Sequence, residues 1–327
     1  MKVRAIRWQT LAPMVVAAWS LAAGATEPAA TAPTVAAPAV TAPDLDAPQF
    51  AIPTTSDRVG RVVAAVYIGE QGPLRFILDT GANRSALAER TVRNLGLVPG
   101  GQAMVHGITG SAVMPTVEVG QLRAGELTYP GQRLAVLPDT VFAGADGILG
   151  IDVVQHARID VDFANDQVSV RRSGARALGD RVVVPARLSR GGLLLIQGKV
   201  GRVRVKAIID TGAERSLGNE ALRKALAVRE KDWFGGEATK VVGATAQVAE
   251  GYAFVAPTVA LGGDANVDNL AVTFGDFHVF RIWSLLDEPA LVIGMDALGT
   301  LPGFSVDYPR RRFLLKLGGP APPLAGS

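Results

Sequence analysis

The sequence predicts an all-β chain built as two similar lobes with short helices. Two pairs of matching stretches carry this reading. The first is Phe76-Ile77-Leu78-Asp79-Thr80-Gly81-Ala82-Asn83-Arg84-Ser85, which returns as Ala207-Ile208-Ile209-Asp210-Thr211-Gly212-Ala213-Glu214-Arg215-Ser216, an offset of 131 residues. Each is an apolar run, then Asp-Thr-Gly-Ala, one polar residue, then Arg-Ser. The second pair is Gly147-Ile148-Leu149-Gly150-Ile151-Asp152 and Leu291-Val292-Ile293-Gly294-Met295-Asp296. The offset is longer than a solenoid repeat. It has the length of a small domain, so it reads as duplication of a whole lobe. A lone Asp-Thr-Gly would be an ordinary strand running into a turn. A turn does not need the same Asp-Thr-Gly-Ala-x-Arg-Ser twice.

Lobe one is expected over 58–175 and lobe two over 176–318. In lobe one a β-rich run at 62–68, a turn at 70–73 and a strand at 74–78 deliver Asp79. In lobe two a strand at 193–197, a turn at 198–201 and a strand at 203–209 deliver Asp210. Valine, isoleucine and period-2 stretches such as Val203-Arg204-Val205 mark strands. A brief helical pattern follows each Asp-Thr-Gly, at 86–95 and at 219–226. Next come two Gly-containing hairpins, Val105-His106-Gly107-Ile108-Thr109-Gly110 and Val241-Val242-Gly243-Ala244-Thr245. Such turns between apolar residues suit mobile β-hairpins. Further strands are expected at 116–119, 133–137, 254–261 and 270–274. Each lobe ends in an alternating hairpin, Ile159-Asp160-Val161-Asp162-Phe163 and Phe304-Ser305-Val306-Asp307-Tyr308. Lobe two carries extra residues, part of them around Trp233-Phe234. The run Arg310-Arg311-Arg312 reads as a solvated hairpin turn.

Composition narrows the chemistry. With 327 residues, 48% hydrophobic and 19% charged, the chain is large enough for two domains with a sizeable core. It has no cysteine, which excludes disulfides, thiolate nucleophiles and Cys-based metal sites. The three histidines, His106, His156 and His278, have no metal-ligand spacing. No metal and no cofactor are therefore expected. A net charge of +3 without a concentrated basic patch gives no nucleic-acid footprint.

Residues 1–25 read as a secretory signal peptide. Lys2, Arg4 and Arg7 precede a short apolar stretch, and Ala23-Gly24-Ala25 is a small-x-small cleavage signal. An uncleaved N-terminal anchor is the alternative. Either way the body is expected to be exported, periplasmic or extracellular. Residues 26–57 read as an Ala/Pro/Thr-rich linker, and 319–327 as a flexible tail.

Strand, Asp-Thr-Gly-Ala, Gly-rich flap, then apolar-apolar-Gly-apolar-Asp before a helix resembles the retropepsin-like aspartic proteases, over about residues 58–317. Viral members pair two one-lobe chains; pepsin-like members carry two lobes in one chain. This chain resembles the second arrangement built from lobes of the first kind, as in exported bacterial proteins of the group. The resemblance implies a bilobal acid-protease fold and a monomer acting on polypeptide. It makes Asp79 and Asp210 a catalytic pair, with Thr80, Gly81, Ala82, Thr211, Gly212 and Ala213 supporting it. Substrate contacts would come from Asn83, Glu214, His106, Gly107, Ile108, Thr109, Val242 and Gly243. Two departures stand out. Ile151 and Met295 sit where viral enzymes have Arg, and the flap Tyr of pepsins has no counterpart.

The chemistry needs those residue types. Two carboxylates about 3 Å apart cannot both ionise easily, so they share a proton. The charged member takes a proton from water, and the protonated member polarises the scissile carbonyl. Ala82 and Ala213 replace the Ser or Thr common in pepsins, so the pair lacks a hydroxyl donor in each lobe. A catalytically silent peptide-binding protein or cell-envelope scaffold of the same fold is the competing expectation.

Overall fold

The structure is a computed structural model, and it describes residues 14–16, 52–53, 55–56, 60–125, 127–165, 167–174, 181–189, 191–229, 236–262 and 265–316. The expected tail, most of the leader and linker, and Trp233-Phe234 lie outside the described residues. The fold is mostly strand, in two sheets. Among the described residues no helix is long and apolar enough to cross a membrane.

The two lobes repeat one plan. In lobe one, Gln71–Leu78 lies parallel to Gly147–Leu149, with Leu78 opposite Leu149. Gly147–Leu149 also pairs antiparallel with Ala86–Ala88, which runs parallel to Leu127–Leu137. In lobe two, Val203–Ile209 lies parallel to Ala290–Ile293, with Ile209 opposite Ile293. Leu217–Gly218 pairs antiparallel with Ala290–Ile293 and parallel with Ala271–Phe274. Parallel pairs normally need a long crossover. Here the crossover is the flap hairpin and its following strands, so each Asp-Thr-Gly loop emerges beside its closing Gly.

A shared sheet joins the lobes. Ala157–Asp162 from lobe one pairs antiparallel with Gly303–Asp307 from lobe two, Asp160 opposite Ser305. In the two terminal hairpins Asp160 and Ser305 are equivalent positions, and Ile159 faces Val306 as Val161 faces Phe304. Equivalent residues opposite each other place an approximate two-fold axis at this pair. The axis site is polar: Arg158 and Arg171 donate to Asp160 at 2.9 and 2.7 Å, and Arg181 pairs with it at 3.5 Å. The two terminal hairpins thus belong to one sheet rather than to separate lobes.

Several elements differ from expectation. Residues 86–88 are strand, and the helix is only Glu89–Asn94. Pairing on both sides of Ala86–Ala88 overrides alanine's helical preference. The second helix starts later and runs further, Glu220–Arg229, because Asn219 accepts a cap bond from Leu222 N at 2.8 Å. The expected turn at 198–201 is largely strand, since Leu194–Val200 continues to a tighter turn before Val203. The expected strand at 254–261 breaks between Val255 and Val259. The linker ends earlier than expected: Ile52–Pro53 pairs with Gln167–Val168, and Thr55–Ser56 with Val62–Val63. Within the expected leader, Met14–Val16 pairs parallel with Val241–Gly243.

Candidate active site

Asp79 and Asp210 sit at the ends of equivalent strands, each 0% exposed. Asp79 N donates to Leu149 O and Asp210 N to Ile293 O, both at 3.0 Å. Each carboxylate is then gripped by its own loop. Gly81 N and Ala82 N donate to Asp79 Oδ1, both at 2.9 Å. Gly212 N and Ala213 N donate to Asp210 Oδ1 at 3.0 and 3.1 Å. The Oδ2 atoms of both are buried and take no donor from these loops.

The loops also lock each other. Thr80 Oγ1 donates to Ile209 O at 2.7 Å, and Thr211 Oγ1 to Leu78 O at 2.6 Å. Thr80 N and Thr211 N each donate to the opposite threonine hydroxyl at 3.1 Å. A Cβ on Gly81 would overlap the Asp210 carboxylate, and one on Gly212 would overlap that of Asp79. The glycines are what let two carboxylates approach across the axis.

Burial raises both carboxyls above the usual range. The Asp210 charge raises Asp79 further, while the backbone donors and Arg61 oppose the rise. The backbone donors Gly212 and Ala213, the neighbouring Asp79 and the charge of Arg61 oppose the rise at Asp210. The two titrate as a pair, so the proton belongs to both carboxyls together rather than to either one. Burial also raises the Tyr308 phenol, reinforced by both carboxylates.

Arg61 is fully buried and has no like partner in lobe two. The registers Val63 opposite Ile77 and Leu195 opposite Ile208 make Leu193 its counterpart. At this position the positive charge therefore comes from lobe one, and lobe two has an apolar side chain. Sequence reading missed Arg61, because a lone Arg before a strand carries no signal.

It also missed why Ser ends each Asp-Thr-Gly-Ala-x-Arg-Ser. Ser85 Oγ donates to Asp152 at 2.8 Å and accepts from Gly150 N at 3.0 Å. Ser216 does the same with Asp296 at 2.7 Å and Gly294 N at 3.1 Å. Gly150 and Gly294 are needed there: a Cβ would come within 2.6 Å of Arg84 C and 2.7 Å of Arg215 C. The recurrence of Ser with the closing Asp was the available signal.

The expected substrate-contact residues fall in two groups. Asn83 and Glu214 flank the loops; Glu214 and Arg215 line a cleft of about 210 Å³ with Gly60, Met295 and Asp296. That cleft does not include the paired carboxylates. His106, Gly107, Ile108 and Thr109 lie on one flap, Val242 and Gly243 on the other. The flap tips meet: Thr109 Oγ1 donates to Gln247 O at 2.8 Å, and Gln247 Nε2 to Ser111 O at 3.3 Å. Ile108 and Ala244 are both 0% exposed. The flaps are closed over buried carboxylates.

No curated protein matches this chain. Residues 64–153, which carry Asp79-Thr80-Gly81, the first flap and the closing Gly150-Ile151-Asp152, match the family model of aspartyl proteases.

Proposed function

We propose that the chain is an aspartic endopeptidase whose water-activating pair is Asp79 and Asp210. The observation that carries this reading is the pair itself: two buried carboxylates from equivalent loops, each so close to the opposite loop that a Cβ on Gly81 or Gly212 would overlap it, and each held by backbone donors at Oδ1. One proton on the pair leaves one oxygen able to accept from water and one hydroxyl able to donate to a carbonyl. The attacking water loses its proton to the ionised carboxylate as its oxygen bonds the carbonyl carbon. The protonated carboxyl donates to the carbonyl oxygen, giving a neutral gem-diol. Proton return to the amide nitrogen then breaks the C–N bond. Sharing of one proton is established for aspartic proteases generally and enters here by resemblance.

The substrate would be an extended polypeptide admitted when the flaps lift, since closed flaps exclude water and bulk solvent from the pair. One chain supplies both carboxylates, so the active form is a monomer. Export to the periplasm or beyond rests on the Lys2, Arg4, Arg7 and Ala23-Gly24-Ala25 pattern.

The test is mass spectrometry of a peptide library incubated with wild type and with Asp79→Ala. Internal cleavage by wild type alone supports the reading. An uncleaved library over the acidic range favours a silent peptide-binding protein of the same fold.

A further inference from the structure

Two of the chain's three histidines meet across the lobes. His106 lies on the first flap and His278 begins the lobe-two helix His278–Ile282. Their rings are 6.1 Å apart, and Ser111, on the returning flap strand, stands between them. Ser111 Oγ lies 2.5 Å from His106 Nδ1 and 2.8 Å from His278 Nε2. On the same face Val279 N donates to Ile108 O at 3.1 Å. This polar cluster is not used by the hydrolytic chemistry, and it ties the first flap to the opposite lobe.

We propose that His106, Ser111 and His278 form a pH-sensitive latch that holds the first flap shut at neutral pH and releases it in acid. A hydroxyl has one proton to give. With both imidazoles neutral and protonated at Nε2, His278 donates to Ser111 and Ser111 donates to His106 Nδ1, so every position in the chain is satisfied. Protonating His106 turns Nδ1 into a donor. Ser111 must then turn its proton from His106 to His278 Nε2, which can accept it only after His278 has moved its own proton to Nδ1. Protonating both rings adds repulsion between cations about 6 Å apart.

The sign is fixed by burial. In the closed flap His106 is lowered from 6.5, by desolvation first and by His278 second. The closed state is therefore fully favoured above the open-state value and weakens as pH falls from there through the closed-state value. The other charges on the packed elements are Asp276 and Arg281, an ion pair at 3.4 Å beside His278, Glu237, Lys240 and Glu250 on the second flap, and Glu118 and Arg123 further along the strand of Ser111. Gln247 and Thr109, which touch the flap tip, are neutral. The acid response thus falls to His106.

Lobe two lacks the device. Aligning the flaps on Gly107 and Gly243 puts Val242 and Gln247 at the places of His106 and Ser111. Aligning Val141-Phe142 with Val279-Phe280 puts Thr140 at the place of His278. Resting on the protease reading, the latch would make access to Asp79 and Asp210 open as the medium acidifies.

The test is amide hydrogen exchange of residues 105–112, corrected for intrinsic rates, at pH 7.5 and pH 5. It uses Asp210→Asn chains so that no self-cleavage intervenes. Protection should fall by roughly tenfold on acidification. His106→Asn with His278→Gln keeps the hydrogen-bonding atoms without the titration, and its protection should be independent of pH. Residues 241–249 should show no comparable response. An NMR titration of wild type needs no variant: His106 should titrate below the histidines of the urea-unfolded chain. Exchange that does not respond to pH in wild type, an undiminished response in the double variant, or a His106 value at or above the unfolded one overturns the latch. Peptide cleavage measured separately on wild type keeps the two failures apart, because the latch readout needs no turnover.

Discussion

The two flaps read as copies in the sequence, yet they are held differently. The first is tied to lobe two by Val279 N, by the two histidines and by Ile108, which sits in the main core. Apart from the tip contacts of Gln247 with Thr109 and Ser111, which both flaps share, the second reaches lobe one through Ala244, a single methyl in the cluster that holds Val105, Ala82 and Phe142. In lobe one the amide equivalent to Val279 N is Val141 N, and it bonds Pro138 O within its own turn instead. Thr245 Oγ1, at the second tip, is buried without a partner. Below the flaps the lobes are closely alike: the loop donors, the threonine lock and the Ser–Asp ties recur with matching distances. Symmetry is kept where both carboxylates must be placed alike. It is relaxed in the flaps above them.

The largest expected effect tests the symmetric part. Asp79→Asn and Asp210→Asn should each lower kcat/KM by about 10³-fold or more, because an amide neither takes the water's proton nor shares one. Both carboxyls titrate above 3.8 in the folded chain. Their ionisation therefore works against folding as pH rises from the unfolded value through the folded one. Either Asn variant should accordingly melt higher than wild type at pH 7, with the gap closing near about pH 3, where wild type is also neutral. Calorimetry across that range checks it. A variant melting lower at neutral pH would mean that the loops need the charge.

Next come the Ser–Asp ties. Ser85→Ala and Ser216→Ala each remove one donor from a half-buried carboxylate, and Gly150 N or Gly294 N loses its acceptor. Each should cost about 1–3 kcal/mol in urea unfolding. Equal costs sharpen the comparison; a cost in one lobe only breaks it.

How much of this was readable beforehand follows from the same residues. That Asp79 and Asp210 end equivalent strands was legible because the surrounding motif occurs twice, and the strand Val203–Ile209 was legible from alternation. Ala86–Ala88 was not, since Ala-Leu-Ala favours helix until neighbouring strands pair with it on both sides. Ser85 and Asp152 were each in a quoted motif, but 67 residues separate them and no local rule links them. His106, Ser111 and His278 are further still from any pattern, with 167 residues between Ser111 and His278. Only the closing of a flap onto the other lobe brings them together.

A smaller effect probes the flaps directly. Ile108→Ala removes buried side-chain volume from the first tip and should cost the closed flap about 2 kcal/mol, or about thirtyfold in local exchange. Ala244→Gly removes one methyl and should change exchange at 241–249 by only a few-fold. Comparable responses in both flaps would remove the asymmetry.

The smallest effect concerns the alanines beside the pair. Ala82 N and Ala213 N donate to the carboxylates, but their side chains give nothing. With burial raising both carboxyls, the acid limb of kcat/KM should lie above that of a pepsin, and the optimum should be weakly acidic. Ala82→Ser adds a hydroxyl that, in a rotamer facing Asp79, donates to the charged form and moves the acid limb down. Ala213→Ser should act the same way through Asp210. The two sites differ above the loop: Ala82 packs with Val105 and Ala244 of the two flaps, whereas Ala213 belongs to the main core. Ala82→Ser should therefore also loosen the flap contact and raise KM slightly, and Ala213→Ser should not. The measurement is kcat and KM against pH for both variants on one peptide. An acid limb unmoved in both would mean that burial and the charge of Arg61, rather than the missing hydroxyls, set where the pair titrates.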